Sequence, residues 1–308
     1  MKVLIICSGN AIEGVSPVVR NQGESLKALG IDVEYYPVKG RGIRSYMKHI
    51  AYLKTHIKNT EYDLFHAHYS LSAIAATLAG AKPLVVSLMG SDTHTNRIMK
   101  SIIKLFARES WAKVIVKSES MKNNIGVNSA VVIPNGVDIK KIKPAQMNGR
   151  NDSSNTILFT SNPERPSKNY SLARNALSQL NGNHFNFKIV HSVSHRQIIN
   201  ELNNASMVLL TSRWEGSPNI VKEAMACNVP IVSTDVGDVQ WLLGDVEGHY
   251  ITSFDPEDVA YNIKKALEFS EKKGRTKGRE RLIELGLDSE TIANKIIDLY
   301  NSVLENAN

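Results

Sequence analysis

Between Met207 and Ser233 the sequence reads MVLLTSRWEGSPNIVKEAMACNVPIVS, and no other stretch restricts the fold as much. Met207 to Leu210 and Pro230 to Ser233 are short apolar runs of strand type. Between them Gly216, Ser217 and Pro218 form a turn that enters an apolar-periodic helix. Such a helix is the crossover of a βαβ unit, which joins parallel strands, and sheets of this kind bind ligands at the carboxyl ends of their strands.

The alternation continues along the chain. Lys2 to Cys7 is a buried strand, followed by a loop with Gly9 and Gly14 and by a helix from Val18 to Leu29 that Gly30 closes. The loop is not GxGxxG, so it gives little support to a dinucleotide site of the dehydrogenase type. Asp32 to Pro37, Leu64 to His68, Pro83 to Leu88, Val114 to Val116 and Val131 to Ile133 are further strands. Ile43 to Asn59 and Arg97 to Trp111 are amphipathic helices with a basic face, the first drawing on Arg41, Arg44, Lys48, Lys54 and Lys58. A second strand and helix series starts at Thr156, continues through Phe187 to Val190 and Gly248 to Ile251, and ends in helices at Pro256 to Ser270 and Ser289 to Leu304. Lys140 to Asn155 is polar, with Pro, Gly and Ser and no apolar period, and reads as the linker. The expected domains are 1–145 and 155–285, with a helix over 286–308.

Residues 1–150 hold 21 Lys and Arg against 10 Asp and Glu, whereas 151–308 hold 16 against 20. A basic half joined to a mildly acidic one implies different partners, the basic one facing something anionic such as a membrane surface or a phosphorylated acceptor. Nucleic acid is disfavoured, because the basic half lacks regular aromatic interleaving. Met1 to Ser8 is too short an apolar run for a signal peptide or a spanning helix, so a cytoplasmic protein is expected. Cys7 and Cys227 show no metal-ligand spacing and read as core residues.

The chemistry concentrates in a few residues. Glu215 stands at a strand end and Glu223 two turns along the following helix, and each carboxylate can accept two sugar hydroxyls. The stretch Ser217, Pro218, Asn219 and Ile220, at the positive end of that helix, offers backbone N–H groups that suit a phosphate. His66 and His68 share one face at the end of another strand. A third metal ligand does not accompany them, and no metal is expected.

EGSPNIVKEAMACNVPIVSTDVG resembles the EX7E segment of the retaining glycosyltransferases of family 4, and HAHY, GSD and PNGVD resemble further segments of that family in the same order. The resemblance spans most of the chain. It implies an α/β protein of the GT-B fold, with two facing Rossmann-like domains, parallel sheets and a cleft between them. The terminal helix would pack back on the N-terminal domain. Glu215 would lie against the donor sugar and Glu223 on the nucleotide ribose, His68 would contribute to catalysis, and Gly14 would approach the donor phosphates. Arg165 and Lys168 match the pair that clamps the diphosphate, although their spacing of three differs from the commoner five. Ser91 and Asp92 fall in the turn on the acceptor side. Asn228 stands where the family has glycine, a change that a left-handed helix cap tolerates.

The implied reaction is transfer of a sugar, with retention, from a nucleotide-diphosphate sugar such as a UDP-sugar to a glycan or lipid-linked acceptor, in cell-surface polysaccharide synthesis. The donor is a co-substrate, and no cofactor is expected. An anionic membrane surface is an expected partner, with the protein peripheral on the cytoplasmic face. Two alternatives stand beside this reading. The EX7E pair argues against a GT-B nucleotide-sugar epimerase, and the full set of site residues argues against a non-catalytic basic-surface binding protein.

Overall fold

In the computed structural model the described residues are 1–40, 42–93, 95–145, 155–180 and 185–306. Arg41 and residues 146–154 of the expected linker lie outside them. The chain divides into two compact units, Met1–Gly136 with Ser289–Asn308, and Val137–Asp288.

The first unit is built on six strands, β1 (Lys2–Ser8), β2 (Asp32–Val38), β3 (Leu64–His68), β4 (Leu84–Ser87), β5 (Lys113–Val116) and β6 (Val131–Val132), in the order β2-β1-β3-β4-β5-β6. All pairings are parallel. The central strands are apolar without alternation because both faces are covered, and Val3 to Cys7 are all buried. Local signals set the helix starts. Ser16 accepts from Val19 N ahead of Pro17–Ala28, Asn96 from Met99 N ahead of Arg97–Glu109, and Ser118 from Met121 N ahead of Glu119–Ile125. The last of these helices was not expected from the sequence, although Ser118 and Gly126 bracket it.

The second unit holds β7 (Thr156–Phe159), β8 (Asn186–Ile189), β9 (Met207–Leu210), β10 (Ile231–Thr234) and β11 (His249–Thr252), parallel throughout and ordered β11-β10-β9-β7-β8. The basic stretch around Lys272 to Arg281 resolves into the end of helix Pro256–Lys273 and a further helix, Gly278–Glu284. Arg279 is turned inward. Its guanidinium donates to the carbonyls of Ile139, Ile142 and Ala226, and Val137 N donates to Leu287 O. These bonds tie the start of the expected linker into the second unit, because carbonyls held by a buried guanidinium are part of a fold. Asn228 has φ +56° and its side chain accepts from Arg279 N at 2.7 Å, a contact glycine could not make.

Helix Ser289–Glu305 belongs to the first unit, where it packs on Pro17–Ala28. Ile292, Ile296, Tyr300 and Val303 bury one face of it. Asn21 fastens its start by donating to Ser289 Oγ at 2.8 Å and to Gly136 O at 3.0 Å.

Candidate active site

At the carboxyl end of β9 the chain turns through Ser212 to Pro218 before helix Asn219–Ala226. Thr211 Oγ1 donates to the carbonyls of Lys168 and Asn169, and Arg213 N donates to Ser167 O at 2.8 Å. The loop after β7 is therefore held against the loop after β9. This brings Lys168 Nζ to Glu215 Oε1 at 2.5 Å, and Ser212 Oγ donates to the same oxygen at 2.7 Å. Both charged side chains are mostly enclosed, so their attraction is less screened than at a surface. Arg165 differs from Lys168. It precedes the single turn Pro166–Lys168 and is exposed, and its side chain makes no hydrogen bond or ion pair among the described residues. A cation of the loop after β9, Arg213, donates to Asn169 Oδ1 at 3.3 Å.

Pro218 is the residue before helix Asn219–Ala226 and has no N–H. The amides expected over Ser217 to Ile220 are therefore those of Ser217, Asn219 and Ile220. Glu223 Oε1 bonds His195 Nε2 at 2.9 Å. His195 opens helix His195–Asn204, which Ser194 and Gln197 start with a capping box. His195 was missed in the sequence because nothing there links it to a carboxylate 28 positions away. Among the described residues the Glu223 carboxylate makes no other hydrogen bond, which leaves acceptor capacity on its second oxygen. Gly237, after β10, has φ +66°, and a Cβ there would lie 2.8 Å from Gly216 O and 3.1 Å from Glu215 O. The loop after β10 thus abuts the turn that carries Glu215.

The first unit contributes a separate group. His68 ends β3 and borders a cavity of about 430 Å³, with Asn10, Ser16, Tyr46, Tyr69 and Ser91 among its lining. His66 and His68 stack at 4.5 Å between ring centroids. His66 Nδ1 meets Tyr300 Oη at 2.5 Å, and its Nε2 meets Ser87 Oγ at 2.9 Å, to which Lys117 Nζ also donates. Gln22 Nε2 reaches His68 Nε2 at 3.3 Å. Burial first, then the charge of Lys117, pushes His66 down to about 3, and His68 is lowered by burial, His66 and Lys117. Both are neutral imidazoles at physiological pH. His66 is spent on Tyr300 and Ser87, whereas His68 faces the cavity.

Asp92 is 1% exposed and accepts from Ser70 N at 3.1 Å and Met89 N at 2.6 Å. Its carboxylate ties two backbone turns together, and Ser91 is the residue of the pair that lines the cavity. Gly14 has φ +79° in a tight turn with Ala11, and nothing lies within 4 Å of a Cβ placed on it. Its glycine is required by the backbone angle.

Comparisons with known proteins complete the description. Residues 15–141 match the family described as Glycosyltransferase Family 4, and residues 148–285 match Glycosyl transferases group 1. Together these take in most of the chain. The chain belongs to glycosyltransferase family 4. This glycosyltransferase is 24% identical over 317 residues to the UDP-Gal:alpha-D-GlcNAc-diphosphoundecaprenol alpha-1,3-galactosyltransferase of Escherichia coli, covering 84% of this chain and 80% of that one. It is 25% identical over 235 residues to the uncharacterized glycosyltransferase MJ1178 of Methanocaldococcus jannaschii, a match covering 65% of this chain and 63% of the archaeal protein. Among solved structures, sucrose-phosphate synthase of Thermosynechococcus elongatus superposes with a TM-score of 0.82 at 17% identity, covering 99% of this chain and 100% of that chain. Alr3699/HepE of Anabaena, solved with UDP-glucose, gives 0.76 at 17%, covering 98% and 100%. The glycosyltransferase has the GT-B fold, with two parallel-sheet α/β domains.

Proposed function

We propose that this glycosyltransferase moves a sugar from a UDP-sugar to a glycan or lipid-linked acceptor with retention of configuration, in the assembly of a cell-surface polysaccharide. The observation that carries the reading is the convergence of Lys168, Ser212 and Glu215 beside the start of helix Asn219–Ala226, with Glu223 of that helix held by His195 of the preceding one. The diphosphate of the donor is received by Lys168, Arg165 and the amides of Ser217, Asn219 and Ile220. Glu223 takes the ribose hydroxyls and Glu215 the donor sugar. As the bond from the anomeric carbon to the diphosphate breaks, these fixed cations and amides stabilise the departing charge. His68 is the first unit's contribution to the chemistry, as a neutral hydrogen-bonding group. Donor binding here uses protein cations, and activity is expected to persist in EDTA.

The acceptor is assigned to the first unit. Exposed Ile43, Met47 and Tyr52 lie on helix Gly42–Asn59 with Arg44, Lys48 and Lys54, and exposed Ile98 and Leu105 lie on Arg97–Glu109 with Lys104. Apolar side chains among cations suit an anionic leaflet, each basic residue near the surface contributing about 1 kcal/mol. No helix among the described residues is long and apolar enough to cross a membrane, so peripheral docking on the cytoplasmic face is proposed. Lys100 is less available, because its Nζ donates to Asn124.

The test is release of UDP from a panel of UDP-sugars with a polyprenyl-diphosphate sugar as acceptor, followed by assignment of the product anomer. Retained configuration supports the proposal, and an inverted product overturns it. Glu substitutions at Lys48, Lys54 and Lys104 should reduce sedimentation with anionic vesicles. Equal partition of the unaltered protein between neutral and anionic vesicles at low salt would remove the membrane element.

A further inference from the structure

Lys222, in the second turn of helix Asn219–Ala226, has no exposed surface. Lysine is almost never buried to this degree unless it is paired. Its Nζ donates backwards past the helix start to Ser217 Oγ at 3.1 Å. Its counter-charge is Asp238, next to Gly237, with Glu223 of its own helix adding to the same effect. Burial pushes Lys222 down to about 8 and Asp238 up to about 6, and each opposes the other's shift. Around neutral pH both are therefore ionised. Among the described residues the enclosed Asp238 carboxylate oxygens make no hydrogen bond, so the group that Lys222 holds is the Ser217 hydroxyl. At the other end of the loop, Thr234 Oγ1 donates to Ser212 O at 2.7 Å. The segment from Ser212 to Ser217 is thus fastened at one end to Thr234 of β10 and at the other to Lys222, with Glu215 between the fastenings.

We infer that Lys222 is a positioning residue for the donor loop: through Ser217 it fixes the turn that presents Glu215 and the amides at the helix start. The inference rests on the reading that this loop receives the donor. Stability alone does not account for the lysine, because apolar replacements of buried ion pairs are often neutral or stabilising. The bond from Lys222 to Ser217 specifies the shape of the loop. Methionine at 222 would fill a similar volume and leave the loop without its inner anchor.

The experiment uses the whole chain with Lys222→Met, the double variant Lys222→Met/Asp238→Asn, and Ser217→Ala, which keeps both charges and removes the hydroxyl that Lys222 holds. Hydrogen–deuterium exchange is followed over 212–218 without ligand, and UDP affinity is measured by calorimetry. Loss of a charge-assisted hydrogen bond corresponds to about tenfold to a hundredfold faster exchange in that segment. UDP binding should weaken about tenfold, while the double variant melts at or above the temperature of the unaltered protein. The unaltered protein should lose kcat/KM as pH rises through about 8, where Lys222 gives up its proton, and Lys222→Met should lack that limb. Unchanged exchange over 212–218 in all three variants would overturn the inference, even if the unaltered protein binds UDP normally. Faster exchange in a protein that binds no UDP would support the positioning role and overturn the donor assignment.

Discussion

Gly237→Ala tests how tightly the Glu215 turn is confined. Two separate costs are built into the position. At φ +66° a side chain enters the left-handed region, a penalty of about 1–2 kcal/mol for an L-residue. The new methyl would also lie 2.8 Å from Gly216 O, 3.1 Å from Glu215 O and 3.2 Å from Glu215 C, all backbone atoms that cannot swing aside as a side-chain tip would. Overpacking of this kind costs about 1–3 kcal/mol more. Gly30→Ala is the control, because Gly30 has φ +86° and nothing within 4 Å of its added Cβ. Urea unfolding of the two variants should therefore differ by about 1–3 kcal/mol, with Gly237→Ala the weaker, and only Gly237→Ala should lower donor turnover. Equal losses in the two variants would refute the argument that the two loops are in close contact.

Three further predictions concern other parts of the molecule. Lys168→Ala should lower kcat/KM for the donor about tenfold to a hundredfold, the range for a lost charge-assisted hydrogen bond, and Arg165→Ala should lower it less because Arg165 is not held at Glu215; initial rates of UDP release decide this. Tyr300→Phe removes the partner of His66 Nδ1 inside the first unit and should cost about 1–3 kcal/mol of stability by urea titration, so a change below about 0.5 kcal/mol would contradict it. Acid should destabilise the protein. His66 and His249 are both pushed down to about 3 by burial, so the unfolded chain binds their protons first and stability falls as pH drops from about 6.5 towards 3. Asp92 and Asp238, pushed up to about 6, oppose this between about 6 and 3.8. Urea midpoints at pH 7 and 4.5 measure the balance, and His249→Gln should narrow the gap.

Many of the parallel strands could be read from the chain as short, largely apolar runs, such as Lys2 to Cys7 or Met207 to Leu210, whereas Asp32–Val38 and Asn186–Ile189 carry charged residues. The helices with strong apolar periods were legible for the same reason, whereas Glu119–Ile125 and Gly278–Glu284 were not. These are short and polar on most sides, and tertiary contacts such as those of Arg279 settle them. In the site, the spacing of Glu215 and Glu223 was visible because a loop and one helix carry both. Lys168 was legible by residue type, and its contact with Glu215 arises from the packing of two loops 47 residues apart. His195, Lys222, Asp238, Gln22 and Tyr300 gave no signal of this kind. Each acquires its role from a partner brought near by the parallel sheet order, which local periodicity does not encode.

The placement of helix Ser289–Glu305 within the first unit has a consequence for synthesis. The whole of Val137–Asp288 is made between the strands of the first unit and the helix that supplies Tyr300. At roughly 5–20 residues per second, a ribosome needs on the order of ten to thirty seconds to deliver that helix after β6 has emerged. During that interval the face of Pro17–Ala28 that receives this helix lies uncovered and His66 lacks its phenol. A chain stopped before Ser289 would remain in that state, with a fully made second unit attached to an unfinished first.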